Sequence, residues 1–166
     1  PESDHIRTMK TVIDWRSKTA PDGAVMFIGD SLTERLATAS VASNSVNMGI
    51  SGIRTDQLIT VLPKAINRSS IVFLQIGAND FTQAKSVGII SRMKQISDVI
   101  PGKLIWTGIM LDEAEHVNGA IVEICKKRRN CTYIQPVKGG YFVDGVHLSD
   151  GGYKLWIARM RNAIDK

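Results

Sequence analysis

Short apolar runs alternate along this chain with longer stretches in which apolar residues recur every three or four positions. The runs cover 24–28, 45–48, 71–76, 103–107 and 132–135. Gly29, Gly77, Gly108 and Pro136 stop four of them, and 45–48 is the weakest. Short β-rich runs bounded by glycine or proline predict buried strands. The stretches between them predict helices. One covers 3–18, with Ile6, Met9 and Ile13 on one side. A second is capped by Thr55, carries Leu58, Ile59, Leu62 and Ile66, and is kinked at Pro63. Two more cover 87–99 and 113–127. A last one, capped by Ser149, aligns Tyr153, Trp156, Ile157 and Met160. Strand–helix alternation implies an α/β fold, a parallel sheet with helices on both faces. Ligands of such sheets bind beyond the carboxyl ends of the strands.

The chain has 166 residues, a length that predicts one domain over 1–166. A core of that size needs no metal or disulfide to hold it. Hydrophobic residues at 43% and charged residues at 22% fall in the ordinary globular range. The net charge of +5 is mild. Its densest patch, Lys126-Lys127-Arg128-Arg129, falls where a helix should end and cations complement the helix dipole. No aromatic residues interleave with it, so no nucleic-acid partner is expected. No apolar stretch approaches the ~20 residues of a membrane span. The chain opens at Pro1, so an extracytoplasmic location with its signal peptide removed stays open. The only cysteines, Cys125 and Cys131, match no zinc spacing. A local disulfide and two free thiols are equally open for them.

Polar residues gather just beyond the predicted strands. Gly29-Asp30-Ser31-Leu32-Thr33 follows the first, where a serine at a strand tip can present its hydroxyl and the next turn its N–H groups. Asn47-Met48-Gly49-Ile50-Ser51-Gly52-Ile53 follows the second, with glycines that let backbone approach a ligand. Gly77-Ala78-Asn79-Asp80 follows the third and offers a side-chain amide, with Asp80 able to cap the next segment. Asp144-Gly145-Val146-His147 near the end places an acid and a base on one turn. His5 and His116 lie in polar surroundings and read as surface. Each segment alone is an ordinary turn or cap. Together they supply a hydroxyl nucleophile, a base, a carboxylate to orient it and donors for an oxyanion.

These segments resemble the four blocks of the SGNH hydrolases, the GDSL esterases and lipases. The resemblance spans residues 29 to 147. It implies Ser31, Asp144 and His147 as catalytic triad, and Ser31, Gly52 and Asn79 as oxyanion hole. It further implies a three-layer αβα, flavodoxin-like sandwich with about five parallel strands, and ester cleavage through an acyl-enzyme without metal or cofactor. No Gly-x-Ser-x-Gly elbow is present, which argues against the α/β-hydrolase fold.

The expected activity is hydrolysis of short-acyl, mainly acetyl, esters of small molecules or carbohydrates. O-acetyl transfer or deacetylation on glycans, lipase or thioesterase action, and a binding module with an idle triad are the alternatives. The connections beyond the strands look too short for a long acyl groove. Ile109-Met110-Leu111 are candidates for an apolar wall or for plain core. Oligomeric state is not legible.

Overall fold

The computed structural model describes residues 1–66 and 69–166. Strands β1 (Ala24–Gly29), β2 (Ser45–Gly49), β3 (Ser69–Gln75), β4 (Lys103–Thr107) and β5 (Cys131–Ile134) form one parallel sheet. Their order is β2-β1-β3-β4-β5, the flavodoxin-like order, and it reverses between β1 and β3. Helices α1 (Asp4–Thr19), α2 (Ser31–Glu34), α3 (Thr55–Leu58), α4 (Leu62–Ala65), α5 (Ala78–Thr82), α6 (Ile89–Val99), α7 (Glu115–Lys127) and α8 (Asp150–Ile164) complete a three-layer αβα sandwich.

The two-residue period of the strands divides the core. Met26, Ile28, Val72, Leu74, Leu104 and Trp106 face Ile6, Ile13, Met93, Ile96, Val117 and Ile121 on α1, α6 and α7. Val25, Phe27, Phe73 and Ile105 face Leu32, Trp156 and Met160 on α2 and α8. Every residue of β1 is buried, as a central parallel strand requires. Ser149 caps α8 as expected, and Ser3, expected within the first helix, instead caps it.

Several local expectations are corrected. The helix expected from Thr55 is two short ones, α3 and α4. Proline has no N–H to offer the carbonyl four residues back, so the chain stops after Leu58 and restarts at Leu62, with Pro63 in the first turn of α4. Thr55 is no cap: Arg54 holds the N-cap position, and Thr55 donates to Asp80. The helix expected from Val87 begins at Ile89, after Gly88 in the left-handed region. Residues 112–114 form a 3-10 turn before α7. Arg128 leaves the basic run, is half-buried, and donates to the carbonyls of Ser97, Ile100 and Gly102 at the end of α6. A disulfide joins Cys125 at the end of α7 to Cys131 at the start of β5.

Candidate active site

Ser31 is the first residue of α2, directly beyond β1 and beside the point where the strand order reverses. Asp30 holds the N-cap position and accepts the Leu32 N–H at 3.0 Å. A Cβ at Gly29 would collide with the Gln75 carbonyl and Thr33 Oγ1. Only glycine lets the end of β1 approach β3 and α2 this closely.

His147 arrives from the segment between β5 and α8. Val143 N–H donates to the His147 carbonyl at 2.9 Å, and Ser149 N–H to the Tyr141 carbonyl at 2.7 Å. The segment thus folds back on itself as a short antiparallel hairpin with Phe142 opposite Leu148. Asp144 lies in its turn and accepts the N–H groups of Val146 (3.0 Å) and His147 (2.7 Å). Its other oxygen lies 2.7 Å from His147 Nδ1. The His147 ring, with these backbone N–H groups, holds the Asp144 carboxyl well below the usual carboxylate range. An ionised carboxylate only accepts, so Nδ1 carries a proton, and in the neutral ring Nε2 presents its lone pair. That Nε2 lies 3.2 Å from Ser31 Oγ, across 116 residues of sequence. A hydroxyl so placed can give its proton to the imidazole while attacking a carbonyl.

The loop after β2 supplies donors. Ile50 N–H donates to the Gly29 carbonyl at 2.9 Å, and Ser51 N–H to the Glu34 carboxylate. Ile53 N–H donates to the Ile50 carbonyl at 3.2 Å. Arg54 N–H reaches Gln57 Oε1 at 3.1 Å and Thr55 N–H reaches Asp80 Oδ2 at 3.0 Å. Gly52 N–H alone in this stretch has no partner among the described residues. Gly52 has φ +80°, a conformation that side chains disfavour, and this turns its N–H out of the local pattern. Helix α5 grips the same loop: Asn79 Nδ2 donates to the Ile53 carbonyl at 3.0 Å and Gln83 Nε2 to the Gly52 carbonyl at 2.9 Å. An amide nitrogen carries two N–H groups, so Asn79 keeps one donor beyond that bond.

No protein-family model and no curated protein matches the sequence. The fold does resemble solved structures. A Streptococcus pneumoniae protein, described provisionally as a platelet activating factor, superposes with a TM-score of 0.80 over 97% of this chain and 91% of its own, at 19% identity. The C-terminal catalytic domain of Streptococcus pneumoniae peptidoglycan O-acetyltransferase A, solved with a methylsulfonyl adduct, gives a TM-score of 0.58 over 87% of this chain and 91% of its own, at 16% identity. At such identities the likeness speaks for the fold alone.

The supporting residues escaped the sequence reading. Asp30 is buried beneath Ser31, and burial raises its carboxyl to about 6 against hydrogen bonds from Leu32 and Gln75. Glu34 accepts the Ser51 N–H and also lies 3.1 Å from the ring of His5, which is exposed as expected. Burial raises the Glu34 carboxyl, but the Ser51 and His5 bonds outweigh this and leave it below its ordinary value. Asp80 does not cap its own segment; it accepts from Thr55 and from Arg92 Nη2 at 3.1 Å. Apart from Leu32, each partner is remote in sequence, and no local pattern announces it. Among the described residues, no group of three or more His, Cys, Asp or Glu is placed to hold a metal, and no helix is long and apolar enough to cross a membrane.

Proposed function

We propose that this chain is a serine enzyme of the SGNH type that cleaves or transfers short acyl groups, acetyl foremost. The Ser31–His147–Asp144 relay carries the reading, supported by the SGNH resemblance of its four segments. His147 Nε2 takes the Ser31 proton as Oγ attacks the ester carbonyl. The oxyanion rests on the N–H groups of Ser31 and Gly52 and on the Asn79 amide. The bond from carbonyl carbon to alcohol oxygen then breaks, and that oxygen leaves with the proton from His147. Water or a second alcohol, deprotonated by the same imidazole, resolves the acyl-enzyme. No step calls on a metal or cofactor.

The test is pre-steady-state release from p-nitrophenyl acetate. A burst equal to the enzyme concentration is expected, with kcat at least about 10³-fold lower in a folded Ser31→Ala variant. Methylsulfonyl fluoride should attach its sulfonyl group to the Ser31 peptide. Near-normal turnover by Ser31→Ala ends the reading. Likeness to an acetyltransferase domain favours transfer as a second reading. Acetylated sugar formed at the expense of free acetate, when a glycan acceptor is added, would distinguish it. The disulfide fits an oxidising compartment for either activity.

A further inference from the structure

We infer that Glu34 is a positioning residue of the acyl-transfer site, fixing the loop that presents the Gly52 N–H against the helix that presents Ser31. The inference rests on the reading of Ser31 and Gly52 above and adds a residue to its machinery. It starts from the peptide between Ser51 and Gly52. Neither its carbonyl nor its N–H has a hydrogen-bond partner among the described residues. Its direction therefore follows from the peptides on either side. Gly52, at φ +80°, resists rotation little, because it has no Cβ. The following peptide is held by Gln83 Nε2, which donates to the Gly52 carbonyl at 2.9 Å. The preceding peptide is held at its carbonyl by Ile53 N–H, at 3.2 Å, and at its N–H by Glu34 Oε2. Of these last two bonds, only that of Glu34 comes from outside the loop.

Glu34 is itself firmly held. It is the last residue of α2, three after Ser31, and its N–H donates to the Asp30 carbonyl at 2.9 Å. A Cβ at Gly49 would collide with the Glu34 backbone, so the end of β2 runs directly against α2. Asn47 Nδ2, on β2, donates to the Thr33 and Glu34 carbonyls at 2.8 and 3.3 Å. His5 Nε2, on α1, lies 3.1 Å from the same Oε2 that accepts the Ser51 N–H. A charged acceptor holds a backbone N–H more strongly than a neutral one. One short helix thus carries the nucleophile at its first residue and, at its last, the carboxylate that steadies an oxyanion donor. Misplacing a group at such a site by about 1 Å can cost about 10²-fold in rate.

The test measures p-nitrophenyl acetate turnover by variants of the full chain. Glu34→Ala should lower kcat about 10- to 100-fold, less than a lost oxyanion donor would, and leave KM within about twofold. Glu34→Met keeps the length and the helix preference without an acceptor and should act alike, so the readout survives if the shorter variant does not fold. Glu34→Gln keeps a carbonyl acceptor and should recover most of the loss. The double variant Glu34→Ala/Gly52→Ala should be no slower than Gly52→Ala, because the carboxylate acts through that one N–H. Amide exchange followed by NMR should show the Ser51 N–H protected in the unaltered chain and open in Glu34→Ala. Full kcat in Glu34→Ala, a loss carried by KM, or a double variant slower by the whole Glu34→Ala factor would each overturn the role of Glu34. Near-normal turnover by Ser31→Ala would instead show that the underlying esterase reading has failed.

Discussion

Asp80 accepts both the backbone N–H of Thr55, at 3.0 Å, and its hydroxyl, at 2.5 Å, and so ties the loop after β2 to the helix after β3. Asn79, its neighbour in sequence, holds Ile53 of the same loop. Asp80 is fully buried, and Arg92 balances its charge while also donating to Thr55 Oγ1 at 2.6 Å. Removing Asp80 leaves the buried Thr55 N–H without its partner and the Arg92 guanidinium without its counter-charge, although Arg92 keeps the Val87 and Lys85 carbonyls. Asp80→Ala should cost roughly 3 to 5 kcal/mol in chemical denaturation. In Asp80→Asn, which keeps the shape, kcat should fall more than KM rises. A kcat unchanged in a folded Asp80→Asn would show that the clasp does not position the oxyanion donors.

The left-handed backbone at Gly52 predicts a second effect. A Cβ there meets nothing within 4 Å, so Gly52→Ala acts through backbone strain alone, about 1 to 2 kcal/mol. The residue escapes that strain by rotating, which turns its N–H away. Loss of one oxyanion donor typically costs about 10²- to 10³-fold in kcat. Thermal melting should show a small drop and steady-state kinetics a large one; the reverse pattern would remove Gly52 from the chemistry.

Asp30 predicts how stability depends on pH. Its carboxyl is raised from 3.8 to about 6 by burial, so the folded chain binds this proton more tightly than the unfolded chain does. The stabilising contribution is complete below pH about 4 and is lost as pH rises through about 6. Asp30→Asn cannot ionise and should lack this loss. Relative to the unaltered chain, the variant should gain roughly 2 to 3 kcal/mol between those limits. Urea unfolding of both proteins at several pH values measures the difference. Parallel curves would place the Asp30 titration elsewhere.

Acyl length is the fourth prediction. Ile109 is fully buried and Met110 nearly so, and Ile109 is held by Asn118, whose side chain bonds both its N–H and its carbonyl. Of the two readings open for Ile109-Met110-Leu111, core is the one observed for Ile109 and Met110, while Leu111 is half-buried and packs against the core that holds Ile109. With that wall unavailable, added methylenes gain none of the ~0.8 kcal/mol each that burial would supply. Across p-nitrophenyl esters of two to twelve carbons, kcat/KM should fall with length. A steady rise would mean that a groove opens on binding.

Much of the scaffold was legible in the sequence because its causes are local. Apolar runs at 24–28 and 71–76, short and stopped by glycine, read as buried strands, and the stops at Gly29 and Gly77 marked where polar residues would emerge. Ser31, Asn79, Asp144 and His147 could be singled out because each lies beside such a stop or on one turn, whereas Gly52 was implied by the SGNH resemblance of its segment. Other features depend on distances that only folding sets. Strand order brings the ends of β1 and β3 together, and the hairpin carries His147 Nε2 to within 3.2 Å of Ser31 Oγ. Whether Cys125 and Cys131 bond depends on how α7 enters β5. The partners of Glu34, Asp80 and Arg92 lie on other elements, and hydrogen bonds between elements leave no period in the sequence. The sequence by itself determined which residues stand at the ends of the strands. The tertiary structure decided which of them meet, because contact between distant segments follows from the packing of the whole sheet and its helices and not from any one stretch of chain.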